Sequence, residues 1–165
     1  MILDSGERRA FTSGAVRDIQ EGKGRCDLLP LNEVSLIIGH NAKLQYDPIV
    51  RYLAKFTEAT EKGERINLLL DVLEIFAGAN EWDYPTMILE VSKQFEEGAK
   101  KYGEHNWQKG IPTHCYLDSA VRHLLKWERH DADENHANAF VWNILCMIWT
   151  INHRPDFDDL TEEGE

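Results

Sequence analysis

The chain is poor in the features that would place it outside a reducing compartment or within a bilayer. Its three cysteines, Cys26, Cys115 and Cys146, are scattered without a CxxC pair, which excludes a disulfide framework. No stretch reaches the roughly 18 apolar residues of a membrane span, and the opening MILDSGERRAF carries no apolar leader. A soluble, cytoplasmic protein with Cys146 as core packing is therefore expected. Cations are also scarce: 18 Lys and Arg stand against 29 Asp and Glu, a formal net charge of −11. That balance excludes an open basic surface for a nucleic acid polymer, which needs clustered Lys and Arg. A single nucleotide is not excluded, because a few local cations, or metal ions bridging to carboxylates, can hold a triphosphate. Strand-like alternation and internal repeats are missing as well.

What is present is helical periodicity. Hydrophobic residues make up 42% of the 165, enough for one sizeable core. After a polar, Gly-rich stretch over residues 1–28, Leu31, Val34, Ile37 and Ile38 recur at helical spacing behind Pro30 and stop at Gly39. Ile49, Tyr52, Leu53 and Phe56 mark a second helix, and Ile66 to Phe76 a third that includes Leu70. Pro85 opens a long fourth, with Met87, Ile88, Val91, Phe95 and Ala99 inward, running to Tyr102–Gly103. On its wheel Glu90 and Glu97 oppose the apolar face, while Glu96 lies on the flank. A fifth helix spans about Tyr116–Arg129, and the last, about His136–Asn152, is apolar almost all round and should be central. These readings give an all-α bundle of five or six helices over 29–153, a polar N-terminal segment over 1–28, and an acidic, disordered tail over 154–165.

Several polar residues sit where an apolar one would be simpler. His136, Ala139, Asn143 and Met147 form one stripe of the last helix, and a buried amide without partners costs about 1–3 kcal/mol. Asn143 thus either ties a core network together or serves a site, and His136 either caps the helix or is a ligand. His123 is either a partly buried flank histidine or a ligand; no HExxH spacing occurs. Glu128 and Asp131 have an ExxD spacing that also arises in any acidic helix end. Glu96–Lys100 and Glu97–Lys101 are i,i+4 pairs. The segment GAKKYGEHNW, residues 98–107, offers lysines for phosphates and rings for a base, or else a dipole-matched helix end followed by an aromatic plug.

The run FEEGAKKYGEHNW, then KGIP, LDSAVRHLLKW, His136 and Trp142–Asn143, with GAVRD and GKGRCDLLP earlier, resembles the dATP/dGTP diphosphohydrolase-like proteins of phages and prophages. The similarity covers about residues 5–30 and 86–153. It implies kinship with the all-α MazG-like pyrophosphohydrolases, whose acidic residues hold Mg²⁺ or Mn²⁺ while water displaces pyrophosphate. By that resemblance Glu96, Asp118, His123 and His136 take metal-ligand or base roles, with Asp118, His123 and His136 catalytic. Lys100, Lys101, Arg122 and Arg25 meet phosphates, and Tyr102, Asn106, Trp107 and Asn143 shape the base or sugar pocket. Arg17, Lys23 and Asp27 lie in the N-terminal segment that folds over the site. Ala139 stands where related sequences often carry a second histidine, and the two acidic pairs ExxE and ExxD of MazG proteins are not visible.

Two functions follow. One is metal-dependent hydrolysis of purine (deoxy)nucleoside triphosphates to monophosphate and pyrophosphate, with Mg or Mn as cofactor. The other is a catalytically inactive module that sequesters nucleotides, a phage counter-defence device on an enzyme scaffold. A homo-oligomer is expected from the resemblance and from the rings Phe140, Trp142 and Trp149 on the last helix.

Overall fold

The computed structural model describes residues 6–40 and 47–161. Among these, six α-helices form: α1 (Leu31–Gly39), α2 (Asp47–Glu58), α3 (Lys62–Ala79), α4 (Tyr84–Tyr102), α5 (Thr113–Glu128) and α6 (His136–His153). The all-α bundle is borne out, and the helix limits fall close to those expected from the hydrophobic spacing. Local chemistry sets several ends. Asp83 caps α4 by accepting from the Thr86 N–H at 2.7 Å, and Pro85 sits in its first turn. Asn135 caps α6 by accepting from the Asn138 N–H at 3.0 Å. Gly63 lies inside the first turn of α3, where a glycine does not break the helix.

Because α6 is apolar around most of its circumference, it packs against α3, α4 and α5 together. Phe140, Ile144, Cys146 and Met147 are fully buried there. Phe140 meets Phe76 of α3 at 4.5 Å between ring centroids, and Trp142 lies 6.0 Å from Phe95 of α4. Trp149 packs on Trp107 at 5.0 Å and on His153 at 4.9 Å. Phe140 is fully buried and Trp142 packs against the core, while Trp149 stays half-buried. The exposed apolar side chains are elsewhere: Ile37 is 74% exposed, Ile88 56% and Leu70 48%, although all three were expected to face inward. Neighbouring positions on a helix differ by about 100°, and the contact made by Ile38 or Met87 turns the adjacent side chain out. The same rotation reverses another expectation: Glu96 is well exposed, while Glu97 is half-buried.

The N-terminal segment contains the one departure from all-α architecture. Strands β1 (Arg8–Ala10) and β2 (Val16–Asp18) pair antiparallel, with Arg9 opposite Arg17. Three residues per strand are too few for alternation to show in the sequence. Only Ala15 of this strap is fully buried, so polar contacts hold it down. Val16 exchanges two hydrogen bonds of 3.0 Å with the Asn106 side chain, as if with a third strand.

The acidic tail is not disordered over residues 154–161. Arg65 of α3, 1% exposed, donates to both carboxylate oxygens of Asp158 at 2.9 and 3.1 Å and to the Phe56 and Ala59 carbonyls. Thr113 also donates to Asp158, and His114 pairs with Asp159. Phe157 lies against Gly110, whose φ of +115° favours glycine and where a Cβ would stand 2.6 Å from the ring. The acidic residues of this tail are therefore ligands for a buried arginine and for the start of α5.

Asp158→Ala leaves the Arg65 charge buried with carbonyl partners only. Chemical denaturation should show a loss of about 3 kcal/mol, the lower end for breaking a buried pair. The His114 imidazole is pushed up to about 10, first by its hydrogen bond to Asp159 and then by the Cys115 thiol, against burial. Its unfolded value is about 6.5, so its stabilisation is complete below about pH 6.5 and disappears as pH rises through about 10. The melting-temperature gap between wild type and His114→Ala should accordingly be wide near about pH 6 and closed near about pH 10.5.

Candidate functional site

Where the strap crosses α4, α5 and α6 it encloses a cleft of about 480 Å³, within the range of small-molecule sites. The strap contributes Arg9, Arg17, Asp18 and Lys23; α5 contributes Asp118, Arg122, His123 and Lys126. From α4 come Gln94, Gly98 and Tyr102, and from α6 Ala139, Trp142 and Asn143, with Asn106 and Glu134 from the loops. In a chain of net charge −11, the cleft wall carries five cations against three carboxylates. Two of those carboxylates are already engaged. Asp18 accepts from Arg8 at 3.0 Å and from Lys101 at 2.9 Å. Asp118 accepts from the Cys26 N–H at 2.6 Å and from Arg122 at 2.5 Å.

Donors in the cleft wall are under-used. Arg9 Nε, Arg17 Nη1 and Trp142 Nε1 are covered and have no hydrogen-bond partner among the described residues. Buried N–H groups are nearly always paired, so three such donors in side chains of one cavity wall mark polar strain there. Arg17 is held by Ser119 at 2.9 Å and Asn143 at 3.4 Å, with its guanidinium 5.3 Å from the Tyr116 ring centroid. The Lys23 ammonium titrates low, mainly through burial, with Arg122, Arg17 and Lys101 adding repulsion that Asp18 opposes. An anion would relieve that repulsion.

At the α5–α6 end of the cleft, His123, Glu134 and His136 bring ligand atoms within 4.8 Å of one another. The two Nδ1 atoms are 2.9 Å apart, and His136 Nε2 lies 2.6 Å from Asp133 Oδ1. The Asp133 carboxyl is held below its usual range, chiefly by that hydrogen bond, so it is ionised and His136 Nε2–H is the donor. His136 Nδ1 then faces His123. Burial, with the nearby His136 and cations, drives His123 down to about 3, so its ring is neutral. Two imidazole nitrogens bound cis to one ion at about 2.0–2.1 Å each sit about 3 Å apart, so the pair fits a shared cation. Carboxylate support behind a ligating histidine is the usual second layer of a metal site. Asp131, Asp133 and His136 form an alternative group through the other ring nitrogen.

The residues singled out by resemblance divide accordingly. Arg17, Lys23, Tyr102, Asn106, Asp118, Arg122, His123 and Asn143 line the cleft, and His136 lies behind it. Lys101 stands one contact away through Asp18. Five others do not join. Glu96 and Lys100 pair with each other at 3.5 Å on an exposed face, which removes Glu96 from either candidate ion group. Arg25 and Asp27 bind each other at 2.6 Å at the strap's end. Trp107 packs against Phe95 and Trp149, bordering a separate small cavity of about 30 Å³. Asp118 is in neither ion group, because both its oxygens anchor the strap and Arg122. Sequence reasoning missed Glu134 and Asp133, read only as an acidic loop, together with Arg9, Gln94 and Lys126. The spacing of DADENH, which sets carboxylates just before a histidine at a helix start, was the available signal.

The family model described as "dATP/dGTP diphosphohydrolase, N-terminal" matches residues 54–160. A dATP/dGTP diphosphohydrolase of Salmonella phage PMBT28 is 34% identical over 80 residues, covering 46% of this chain and 27% of that protein. The chain thus matches about a quarter of the length of that curated relative. No solved structure matches the chain. The family match takes in the C-terminal end of α2 and all of α3 to α6, including the imidazole pair and most of the cleft wall. The chain belongs to the dATP/dGTP diphosphohydrolase N-terminal family.

Proposed function

We propose that this chain hydrolyses purine deoxynucleoside triphosphates to the monophosphate and pyrophosphate, with a divalent cation held by His123, His136 and Glu134. The reading rests on one observation: a cleft with unpaired buried N–H donors and excess cations opens onto an imidazole–carboxylate cluster. The substrate class is carried over from the name of the phage relative. Arg17, Lys23, Arg122 and Lys126 bind the phosphate chain and orient the α-phosphorus, where water attacks and pyrophosphate departs. Asp118 positions Arg122 and the strap. When bound, the cation polarises a phosphate oxygen and lowers the pKa of a water molecule. Two imidazoles and a single carboxylate suit Mn²⁺ better than Mg²⁺, which prefers oxygen ligands. Self-association, if it occurs, would use the exposed Ile37, Leu36, Ile88 and Leu89 rather than α6.

A second reading, nucleotide sequestration without turnover, has one observation in its favour. Glu134 is the only cleft carboxylate that falls in an imidazole group, which is sparse for phosphoryl chemistry.

Incubation of the full chain with dATP, dGTP or dCTP and Mn²⁺, with products separated by chromatography, decides between them. Monophosphate and pyrophosphate from the purines support hydrolysis; bound nucleotide recovered intact supports sequestration. His123→Ala and His136→Ala should abolish turnover with helical ellipticity retained, and full activity in both would sink the assignment. Mn²⁺ binding itself, followed by the paramagnetic signal of the free ion, should weaken about 10–100-fold in Asp133→Ala. Equal Mn²⁺ affinity in wild type and both histidine variants would place the ion elsewhere.

A further inference from the structure

The cleft has two chemically different sides. The cations come from the strap and α5, whereas the α4 and α6 walls offer Gln94, Gly98, Ala139 and Trp142, none of them charged. On α4, Gln94, Gly98 and Tyr102 recur every four residues and so share one face. Gly98 is a gap in that face, since a Cβ built there meets nothing within 4 Å. Opposite it α6 presents Ala139, also small. Asn138 donates to the Glu90 carbonyl at 3.0 Å, and Phe95 meets Trp142 at 6.0 Å, so the two helices are locked side by side along this stretch. The result is a slot one small residue deep on each side. One polar handle lies on it. The Gln94 amide is half-buried and has no hydrogen-bond partner among the described residues.

We propose that this slot receives the nucleobase, and that the Gln94 amide hydrogen-bonds the edge of the base. The assignment rests on the triphosphate reading above, which places the phosphates on the cationic side. A carboxamide presents an acceptor and a donor side by side, and rotation about its last bond exchanges them. Facing adenine, its oxygen accepts from the 6-amino group while its NH₂ donates to a neighbouring ring nitrogen. Facing guanine, the turned amide donates to O6 and accepts from N1–H. One residue therefore serves both purines, where a carboxylate or a lysine would impose one pattern. Cytosine presents the same amino-and-ring-nitrogen edge as adenine, so the amide accepts a base of either class and holds it without choosing between them.

The test uses the full chain with Mn²⁺ and the α,β-methylene analogues of dATP, dGTP and dCTP, which resist the proposed cleavage, with inorganic tripolyphosphate as the base-free probe. Titration calorimetry should show all three nucleotide analogues binding about tenfold more weakly to Gln94→Met than to wild type, with tripolyphosphate unchanged. Gly98→Leu, which fills the slot where there is room for a side chain, should weaken all three nucleotides and spare tripolyphosphate. Retained helical ellipticity in both variants confirms that they fold. Unchanged nucleotide affinity in Gln94→Met, or an equal loss for tripolyphosphate, overturns the base assignment alone. Failure of wild type to bind any nucleotide would overturn the triphosphate reading, and this assignment with it.

Discussion

Asp118 accepts from the Cys26 backbone on one oxygen and from Arg122 on the other, and Arg122 in turn donates to the Lys23 and Gly24 carbonyls. The N-terminal strap buries little apolar surface of its own, so this arrangement does for it what hydrophobic packing does for the helices. Asn106 performs the same task further back, by completing the hydrogen bonds of Val16. Remove these anchors and one wall of the cleft goes, taking Arg9, Arg17 and Lys23 with it. A carboxylate that looks catalytic by its place in a motif thus acts one step earlier, by making the cleft exist. Its burial is tolerable because both oxygens are satisfied by a charged or backbone donor.

Electrostatics explain why an acidic chain can still attract a polyanion. The excess negative charge lies on exposed faces, where water and salt screen it within about 8 Å at physiological ionic strength. The cations converge on a cavity with helix walls, where screening is weaker and field lines are focused. The repulsion that adds to burial in lowering Lys23 and the unpaired Arg9 and Arg17 nitrogens have one origin. Positive groups have been brought together without enough acceptors, and the folded protein carries that cost until a ligand with many oxygens arrives. Stability given up at a site in this way is a recurrent mark of function rather than of poor packing.

The bundle could be read in the sequence because a period of 3.6 survives imperfect residues. Pro30, Pro85, Asp83 and Asn135 add punctuation at the places where backbone donors go unpaired. The strap could not be read, because three-residue strands leave no periodic signal and their partner is a side chain of residue 106. The tail misled for another reason: PDFDDL has the composition of a solvated segment, and only the buried Arg65 across the core makes its acids structural. At the site, His123 and His136 were visible as histidines out of place on apolar helices. Glu96 was misplaced by a rotation of one residue on the wheel, an error that periodicity cannot correct, since adjacent positions on a helix edge differ only in what the neighbouring helix does. Gln94 was invisible because its importance lies in having no partner, a property that exists only after folding.

Ala139, where the resemblance would place a second histidine, looks like a missing ligand when read along α6, yet the fold brings a carboxylate from another direction. Glu134 arrives from the loop before the helix, five residues from Ala139, and Asp133 comes with it to fix the His136 ring. That loop is itself held in shape. His130 takes a left-handed conformation at φ 63°, Asp131 binds Arg129 at 2.5 and 2.8 Å, and Asn135 closes the helix start. Moving a ligand from helix to loop has a geometric consequence. An imidazole at position 139 would stand on the same face as His136 and project into the slot beside Gly98, where a flat ring is meant to lie. With alanine there, the ion group is confined to the end of the cleft and the uncharged side stays open. A single small residue thus separates the place for phosphate chemistry from the place for the base.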